Sequence, residues 1–411
     1  MALASENPFI SSVKAIFSPG KNRELLMPAI GVSAVVALFV AHFQLWQVHY
    51  AGQLPAMQIQ SMTLLLWLLG VAFAAIPVLW LSEGEPQLGL VPVAAVGLVF
   101  YDWDLRLVDF PQQIDSWWQL LQTRWAGLAA WLGVWCGLFA LPQLGLYVRR
   151  TDATTQRRNT VVLLLAIGLA IVVGQVGADF LQSYASQLNP FNVLAACGLA
   201  VSLLVLWQLP IAFLQFFAWC FIHFFYRIET KGLDNIPARG PVLLVANHVS
   251  FIDSFVVGGT IKRPPRFVMD KGFYQAPVMN WIFRTAKAIP IAPAKKDPEM
   301  LAAAYDKIAE ELQDGQAVLV FPEGAITWDG EMIAFKEGVE RILKRTPVRV
   351  VPVALRGLWG SWFSRSGGGT FKGLPRPWKK IQVRAGEIMN PEDTTAAELQ
   401  KRVQALRGQW R

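Results

Sequence analysis

The stretch Val242-Leu-Leu-Val-Ala246-Asn247-His248-Val-Ser-Phe-Ile-Asp253 changes character halfway along. Its first five residues are apolar, a short run of the kind that forms a strand. Asn247 and His248 then stand at the carboxyl end of that strand, where open α/β sheets hold their ligands. His248 is the only histidine after residue 226, and Asp253 follows five residues later. A turn into a helix near Ser250 brings that carboxylate back onto the imidazole. Such a pair has a defined chemistry: the neutral imidazole takes a proton from an alcohol, and the carboxylate fixes its tautomer and stabilises the imidazolium. General-base assistance of this kind is worth roughly 10²–10⁴-fold in rate. A lone histidine is more often structural than catalytic, so the reading needs further elements.

Two lie downstream. β-rich runs at 241–246, 266–269, 317–321, 348–355 and 381–385 alternate with helical patterns at 252–260, 278–285, 298–313, 336–345 and 395–408. This alternation predicts a layered α/β domain. The run at 317–321 ends in Phe321-Pro322-Glu323-Gly324. Proline and glycine there force a tight turn that presents Glu323 at the same sheet edge, as a ligand for an acceptor hydroxyl or as an ordinary turn carboxylate. Val351-Pro352-Val353 lies inside the run at 348–355 and reads first as core packing.

Working outward to the N-terminus, the composition shifts. Of the 411 residues, 54% are hydrophobic and 16% charged, which is apolar for a soluble chain. Residues 1–226 carry a net charge of −1 and residues 227–411 of +9. A neutral apolar half joined to a basic polar half suits a membrane domain followed by a domain that meets anionic lipid, and makes nucleic acid an improbable partner. Uncharged runs near 27–47, 60–82, 86–101, 125–148, 159–178 and 191–208 approach the roughly 20 residues that cross a bilayer, predicting about six spans. The first, from near Met27, is long enough to remain as a span, so no cleavable leader is expected. Basic loops stay cytoplasmic. Lys14, Lys21 and Arg23, and then Arg149, Arg150, Arg157 and Arg158, therefore put both termini on the cytoplasmic side, with the acidic segment around Asp102, Asp104, Asp109 and Asp115 opposite. The aromatic segment at 211–226 either pins the next domain to the bilayer or prolongs the sixth helix. Cys136, Cys197 and Cys220 lie in apolar runs without metal or disulfide spacing.

With these motifs in order, residues of about 227–390 resemble the glycerolipid acyltransferase superfamily, typified by lysophosphatidate acyltransferase. Asn247-His248 to Asp253 is similar to its NHxxxxD motif, Phe321–Gly324 to FPEG, and Val351–Val353 to VPV. The resemblance implies an α/β acyltransferase domain at 227–411, behind the membrane helical bundle that the apolar runs predict at 1–226. It implies His248 as catalytic base and Asp253 as its partner. Asn247, Phe321, Pro322, Glu323 and Gly324 are implied at the substrate, with Lys271 beside the position of a family lysine. It further implies a lipid acceptor and an acyl thioester on coenzyme A or acyl carrier protein as co-substrate, at the inner membrane and without a cofactor. A His/Cys metal site is excluded on residue count, since the second half holds one histidine and no cysteine.

Three departures bear on the acceptor. Phosphatidate-forming members usually continue FPEG with Thr-Arg, whereas here Ala325-Ile326 follows, so Ile326 stands where that arginine would grip a phosphate. The family lysine falls at Asp270, with Lys271 one place late, and a further arginine falls at Pro293, with Lys295 and Lys296 beyond. An apolar side chain cannot replace arginine's fork on a phosphate monoester. The expected acceptor is therefore a lysophospholipid whose phosphate is already a diester, with lysophosphatidate as the alternative. The membrane half is weakly similar to the last six helices of lysophospholipid carriers of the major facilitator type, and Leu355-Arg356-Gly357-Leu-Trp-Gly-Ser-Trp-Phe-Ser364-Arg365 looks like an acyltransferase subgroup fused to them. A lipid-translocating or scaffold protein with an inactive domain is the further alternative. A serine lipase is disfavoured by the lack of a GxSxG elbow.

Overall fold

The computed structural model describes residues 23–49, 55–82, 88–105, 116–122, 124–150, 153–184, 190–208, 210–277, 279–366 and 378–410. The chain divides into two compact units, Met1–Leu209 and Pro210–Arg411.

The first unit is helical: α1 (Arg23–His49), α2 (Ala56–Ser82), α3 (Leu90–Leu105), α4 (Trp117–Gln122), α5 (Arg124–Arg150), α6 (Ala153–Tyr184) and α7 (Pro190–Gln208). Each uncharged run of the sequence is helical, but among the described residues only three stretches are long and apolar enough to cross a membrane: Met57–Leu81, Ala126–Gly145 and Leu163–Ser183. Among the described residues the apolar stretches of α1, α3 and α7 are Gly31–Trp46, Leu90–Tyr101 and Asn192–Leu204, so three of the about six expected spans reach that length there. Helix α5 is central. Ala129, Leu132 and Phe139 are fully buried, and Gly133 lets the backbone of α2 approach at the Trp67 carbonyl, the small-residue contact by which helices associate in lipid. Leu65, Leu68, Phe73 and Leu79 of α2 and Leu165, Leu169 and Val176 of α6 face outward, an apolar exterior that suits hydrocarbon. Of the charges behind the expected orientation, Lys14, Lys21, Asp109 and Asp115 lie outside the described residues.

The second unit opens with the aromatic helix α8 (Pro210–Phe225) and holds a seven-stranded mixed sheet. Its strands are β1 (Tyr226–Lys231), β2 (Val242–Ala246), β3 (Arg266–Asp270), β4 (Ile289–Ile291), β5 (Ala317–Val320), β6 (Val350–Arg356) and β7 (Lys379–Ala385). Their order is β1-β7-β6-β2-β5-β3-β4, and only the β6–β7 pair is antiparallel. The helices are α9 (Asp253–Thr260), α10 (Lys271–Tyr274), α11 (Met279–Thr285), α12 (Pro298–Gln313), α13 (Gly338–Arg345) and α14 (Ala396–Arg407). Helix α12 starts as its sequence predicts, with Asp297 accepting from the Met300 N–H and Pro298 in the first turn.

The strand period of two sorts the core. Val242, Leu244 and Ala246 join a cluster with Ile222 of α8 and Val256 and Val257 of α9. Leu243 and Val245 face the other way, onto Ile308 and Leu312 of α12, Ile342 of α13 and Leu399 of α14. Both faces of the sheet are covered, as parallel sheets require. This layering also moves the expected boundary at 226: α8 covers one face of the sheet through the fully buried Ile222, so it belongs to the second unit.

Candidate active site

Strands β6, β2 and β5 lie side by side and parallel, with Ala246 opposite Val353 and Val245 opposite Val320. Their carboxyl ends therefore open at one edge, and the segments beginning at Asn247, Phe321 and Gly357 emerge together there.

Asn247 leaves β2 first. Its Nδ2 donates to the Leu355 carbonyl at 3.0 Å and its Oδ1 accepts from the Leu355 N–H at 2.8 Å. The amide thus stands in for one more rung of the β2–β6 ladder, and Asn247 is fully buried. Expected at the substrate, it is instead spent on the backbone.

His248 is held from several sides. Its Nδ1 lies 2.7 Å from Asp253 Oδ2. An ionised carboxylate only accepts, so Nδ1 carries the proton and Nε2 keeps its lone pair. The same Oδ2 accepts from the N–H groups of Val249, at 2.6 Å, and Ser250, at 2.9 Å. Asp253 is fully buried in the first turn of α9, where the helix dipole favours a negative charge. Phe321 lies against the imidazole, ring centroids 4.3 Å apart and planes 18° from parallel. The His248 side chain keeps 21% of its surface open while Asp253 keeps none, so the pair reaches the surface only through the imidazole.

The Phe321-Pro-Glu-Gly324 turn closes with Gly324 N–H donating to the Phe321 carbonyl, and Gly324 adopts a φ of +67°, which only glycine accepts readily. The turn directs Glu323 inward. Its Oε1 accepts from the His248 N–H and its Oε2 from the Ile333 N–H, each at 2.7 Å. Burial pushes its carboxyl up to about 7, against the lowering effect of those two N–H groups. Expected to meet an acceptor hydroxyl, Glu323 is 1% exposed and braces the histidine loop instead. Pro322 is buried and its carbonyl accepts from the Lys336 N–H.

Lys271, at the start of α10, pairs with Asp297 at 3.0 Å. Ile326 is buried, and Thr327 N–H donates to the His248 carbonyl at 3.1 Å. Ser250 is fully buried with its hydroxyl donating to the Phe363 carbonyl, which leaves it no freedom to act as a nucleophile. One residue of the site carries no motif. Arg365 donates from Nη1 to the Ile326 carbonyl at 3.0 Å, with its guanidinium 4.0 Å from the Trp328 ring centroid and 5.7 Å from that of Phe251. It lies outside the three ordered motifs, and the sequence offered only its place at the end of Leu355–Arg365, the stretch that resembles a fused acyltransferase subgroup. Beside the site an apolar pocket is lined by Leu214 and Phe217 of α8, Ser254 and Phe255 of α9, and Phe267 and Phe283.

The family match falls inside the second unit. A family model of acyltransferases matches residues 227–356. A chloroplast 1-acyl-sn-glycerol-3-phosphate acyltransferase of Arabidopsis thaliana is 31% identical over 137 residues, 33% of this chain and 38% of that protein. A 1-acyl-sn-glycerol-3-phosphate acyltransferase of Pseudomonas aeruginosa is 28% identical over 183 residues, 44% of this chain and 66% of that protein. The solved structure of the 1-acyl-sn-glycerophosphate acyltransferase of Thermotoga maritima aligns at a TM-score of 0.40 and 20% identity, covering 49% of this chain and 81% of that one. The chain spans 38–40% of the length of the Arabidopsis, Brassica and Chlamydomonas relatives it matches. Over residues 227–356, then, the chain matches the acyltransferase family, and it carries there the motifs of the glycerolipid acyltransferases that build this site.

Proposed function

We propose that this chain is a membrane-bound acyltransferase that moves a fatty acyl group from a thioester, on coenzyme A or acyl carrier protein, to the free hydroxyl of 1-acylglycerol 3-phosphate. The observation that carries the reading is the buried Asp253 carboxylate on Nδ1 of a half-open His248 at the carboxyl ends of three parallel strands. His248 Nε2 takes the proton of the acceptor hydroxyl as its oxygen attacks the thioester carbonyl, and Asp253 stabilises the imidazolium that forms. The tetrahedral intermediate collapses with loss of thiolate, the new ester remains, and the imidazolium proton goes to the thiolate. The apolar pocket beginning at Ser254, next to Asp253, suits the acyl chain of the donor. Outward-facing leucines and phenylalanines on the helical unit support a multi-pass membrane protein, and the basic loops support an inner-membrane location with both termini in the cytoplasm.

The similarity to 1-acyl-sn-glycerol-3-phosphate acyltransferases favours 1-acylglycerol 3-phosphate over the diester acceptor that Ile326 suggests. Ile326, standing where the family carries arginine, is the observation that keeps lysophosphatidylethanolamine as the second reading. The test is a radiolabelled acyl-transfer screen of the purified protein and its His248→Ala variant against a panel of lysolipids. The wild type is expected to label lysophosphatidate most strongly, and His248→Ala to lose at least about 10²-fold in rate. A wild type that labels no lysolipid, or a variant as active as wild type, would remove the reading.

A further inference from the structure

We infer that Arg365 binds the phosphate of the lipid acceptor, in place of the arginine that Ile326 displaces; the inference rests on the acyltransferase reading above. The guanidinium donates to the backbone carbonyl of Ile326 itself, so a cation from a different element is held at the residue where the family arginine stands. The next residue, Thr327, is hydrogen-bonded to the His248 carbonyl, which puts the Ile326 carbonyl one residue from the backbone of the catalytic loop.

The Arg365 segment is tied to that loop as well. Ser250 and Ser364 form an antiparallel bridge, the Phe251 N–H donates to the Phe363 carbonyl at 3.1 Å, and the Ser250 hydroxyl donates to the same carbonyl at 2.9 Å. Arg365 therefore rides on the backbone that carries His248 and Asp253. Its plane is set by Trp328 and Phe251, so the fork is oriented without a carboxylate. Among the described residues no carboxylate lies in ion-pair range of it. One of its N–H groups goes to Ile326, which leaves the others for an anion. Lys336 stands at the other end of the same turn, its ammonium reaching the space a Gly324 Cβ would fill, and it too lacks an ion pair among the described residues. Two cations with no carboxylate partner, flanking one turn beside a general base, suit a doubly charged phosphate monoester better than a diester.

The purified full-length protein in detergent is the material for the test, with two readouts: calorimetric binding of lysophosphatidate against monoacylglycerol of the same chain, and acyl transfer. Arg365→Ala is expected to weaken lysophosphatidate binding about 10- to 100-fold. Monoacylglycerol binding and the KM for the acyl thioester should stay within about 2-fold, and Arg365→Lys should recover part of the loss. A residue that only bolted Ile326 in place would weaken both lipids alike. Equal losses on both lipids, or unchanged lysophosphatidate affinity in Arg365→Ala, overturn the inference. Arg365-dependent binding in a wild type that transfers no acyl group would uphold the inference and sink the enzyme reading.

Discussion

Glu323 accepts the backbone N–H of His248 at 2.7 Å while Phe321, two residues earlier in the same turn, stacks on the imidazole of that histidine. One turn thus holds both the main chain and the ring of the proposed base, and the carboxylate acts on the loop rather than on a substrate. Glutamine offers one acceptor oxygen where two N–H groups converge, so Glu323→Gln leaves one of them facing an amide NH₂. A misplaced base costs turnover more than binding. The variant is expected to lose roughly 10²-fold in kcat while the acceptor KM moves less than about 3-fold, measured by steady-state acyl transfer. A large rise in KM at constant kcat would instead mean that the carboxylate touches the acceptor.

The same residue makes stability depend on pH. Its carboxyl titrates at about 7 in the folded chain against the ordinary 4.5. Between these values the folded state binds more protons than the unfolded one, so stability falls as pH rises from about 4.5 to about 7 and stays lower above that. The full effect is on the order of 3 kcal/mol. Glu323→Gln does not titrate, so the wild-type decline between pH 5 and pH 8, followed by denaturation in detergent, should be steeper than that of the variant. Identical slopes would show that Glu323 is ionised at its usual pH.

Asp253→Asn tests the tautomer. The aspartate takes the Nδ1 proton and two backbone N–H groups on one oxygen. An asparagine puts either its oxygen or its NH₂ at that point: the oxygen keeps all three bonds but brings no charge to stabilise the imidazolium, while the NH₂ makes Nδ1 an acceptor, the wrong tautomer for a base at Nε2, and faces two N–H donors. Loss in kcat is expected on the order of 10³–10⁴-fold, by analogy with the same change in a serine-protease triad. Near wild-type turnover in a folded Asp253→Asn protein would mean that the pair is not the base.

Much of this architecture was readable in the sequence. The runs behind β2, β5 and β6 are continuously apolar because both faces of the sheet are covered, and their helical partners show an amphipathic period. Strand β1 was hidden because Tyr-Arg-Ile-Glu-Thr-Lys is charged and follows directly on an aromatic helix; β4 was hidden because it is three residues long with Pro290 at its centre. The His248–Asp253 pairing followed from spacing plus a helix start. The uses of Asn247, Glu323 and Lys271 did not, because residue type does not say whether a polar side chain is spent on Leu355, on His248 and Ile333, or on Asp297. Arg365 lies 39 residues from its partner Ile326, and only the fold brings them together.

The docking of α8 on the sheet gives a last prediction. Where α8 crosses α9, Gly259 has no side chain to hold the helices apart: a Cβ there would meet Ile222 Cδ1 at 2.8 Å and the Trp219 backbone nitrogen at 3.0 Å. Ile222 is fully buried, and Phe255 of α9 and Phe217 of α8 line the same apolar pocket. The isoleucine tip can turn aside, but backbone cannot, so Gly259→Val must lift α8 away from the sheet or distort α9 just beyond Asp253. Overpacking of this kind costs roughly 1–3 kcal/mol. It should lower the melting temperature of the detergent-solubilised protein and raise the KM for long-chain acyl thioesters more than for short ones, because the displaced helix forms one wall of the pocket. Gly259→Ala should show the same changes in smaller measure. A Val variant with wild-type melting and an unaltered chain-length profile would mean that α8 is not seated against the sheet as described.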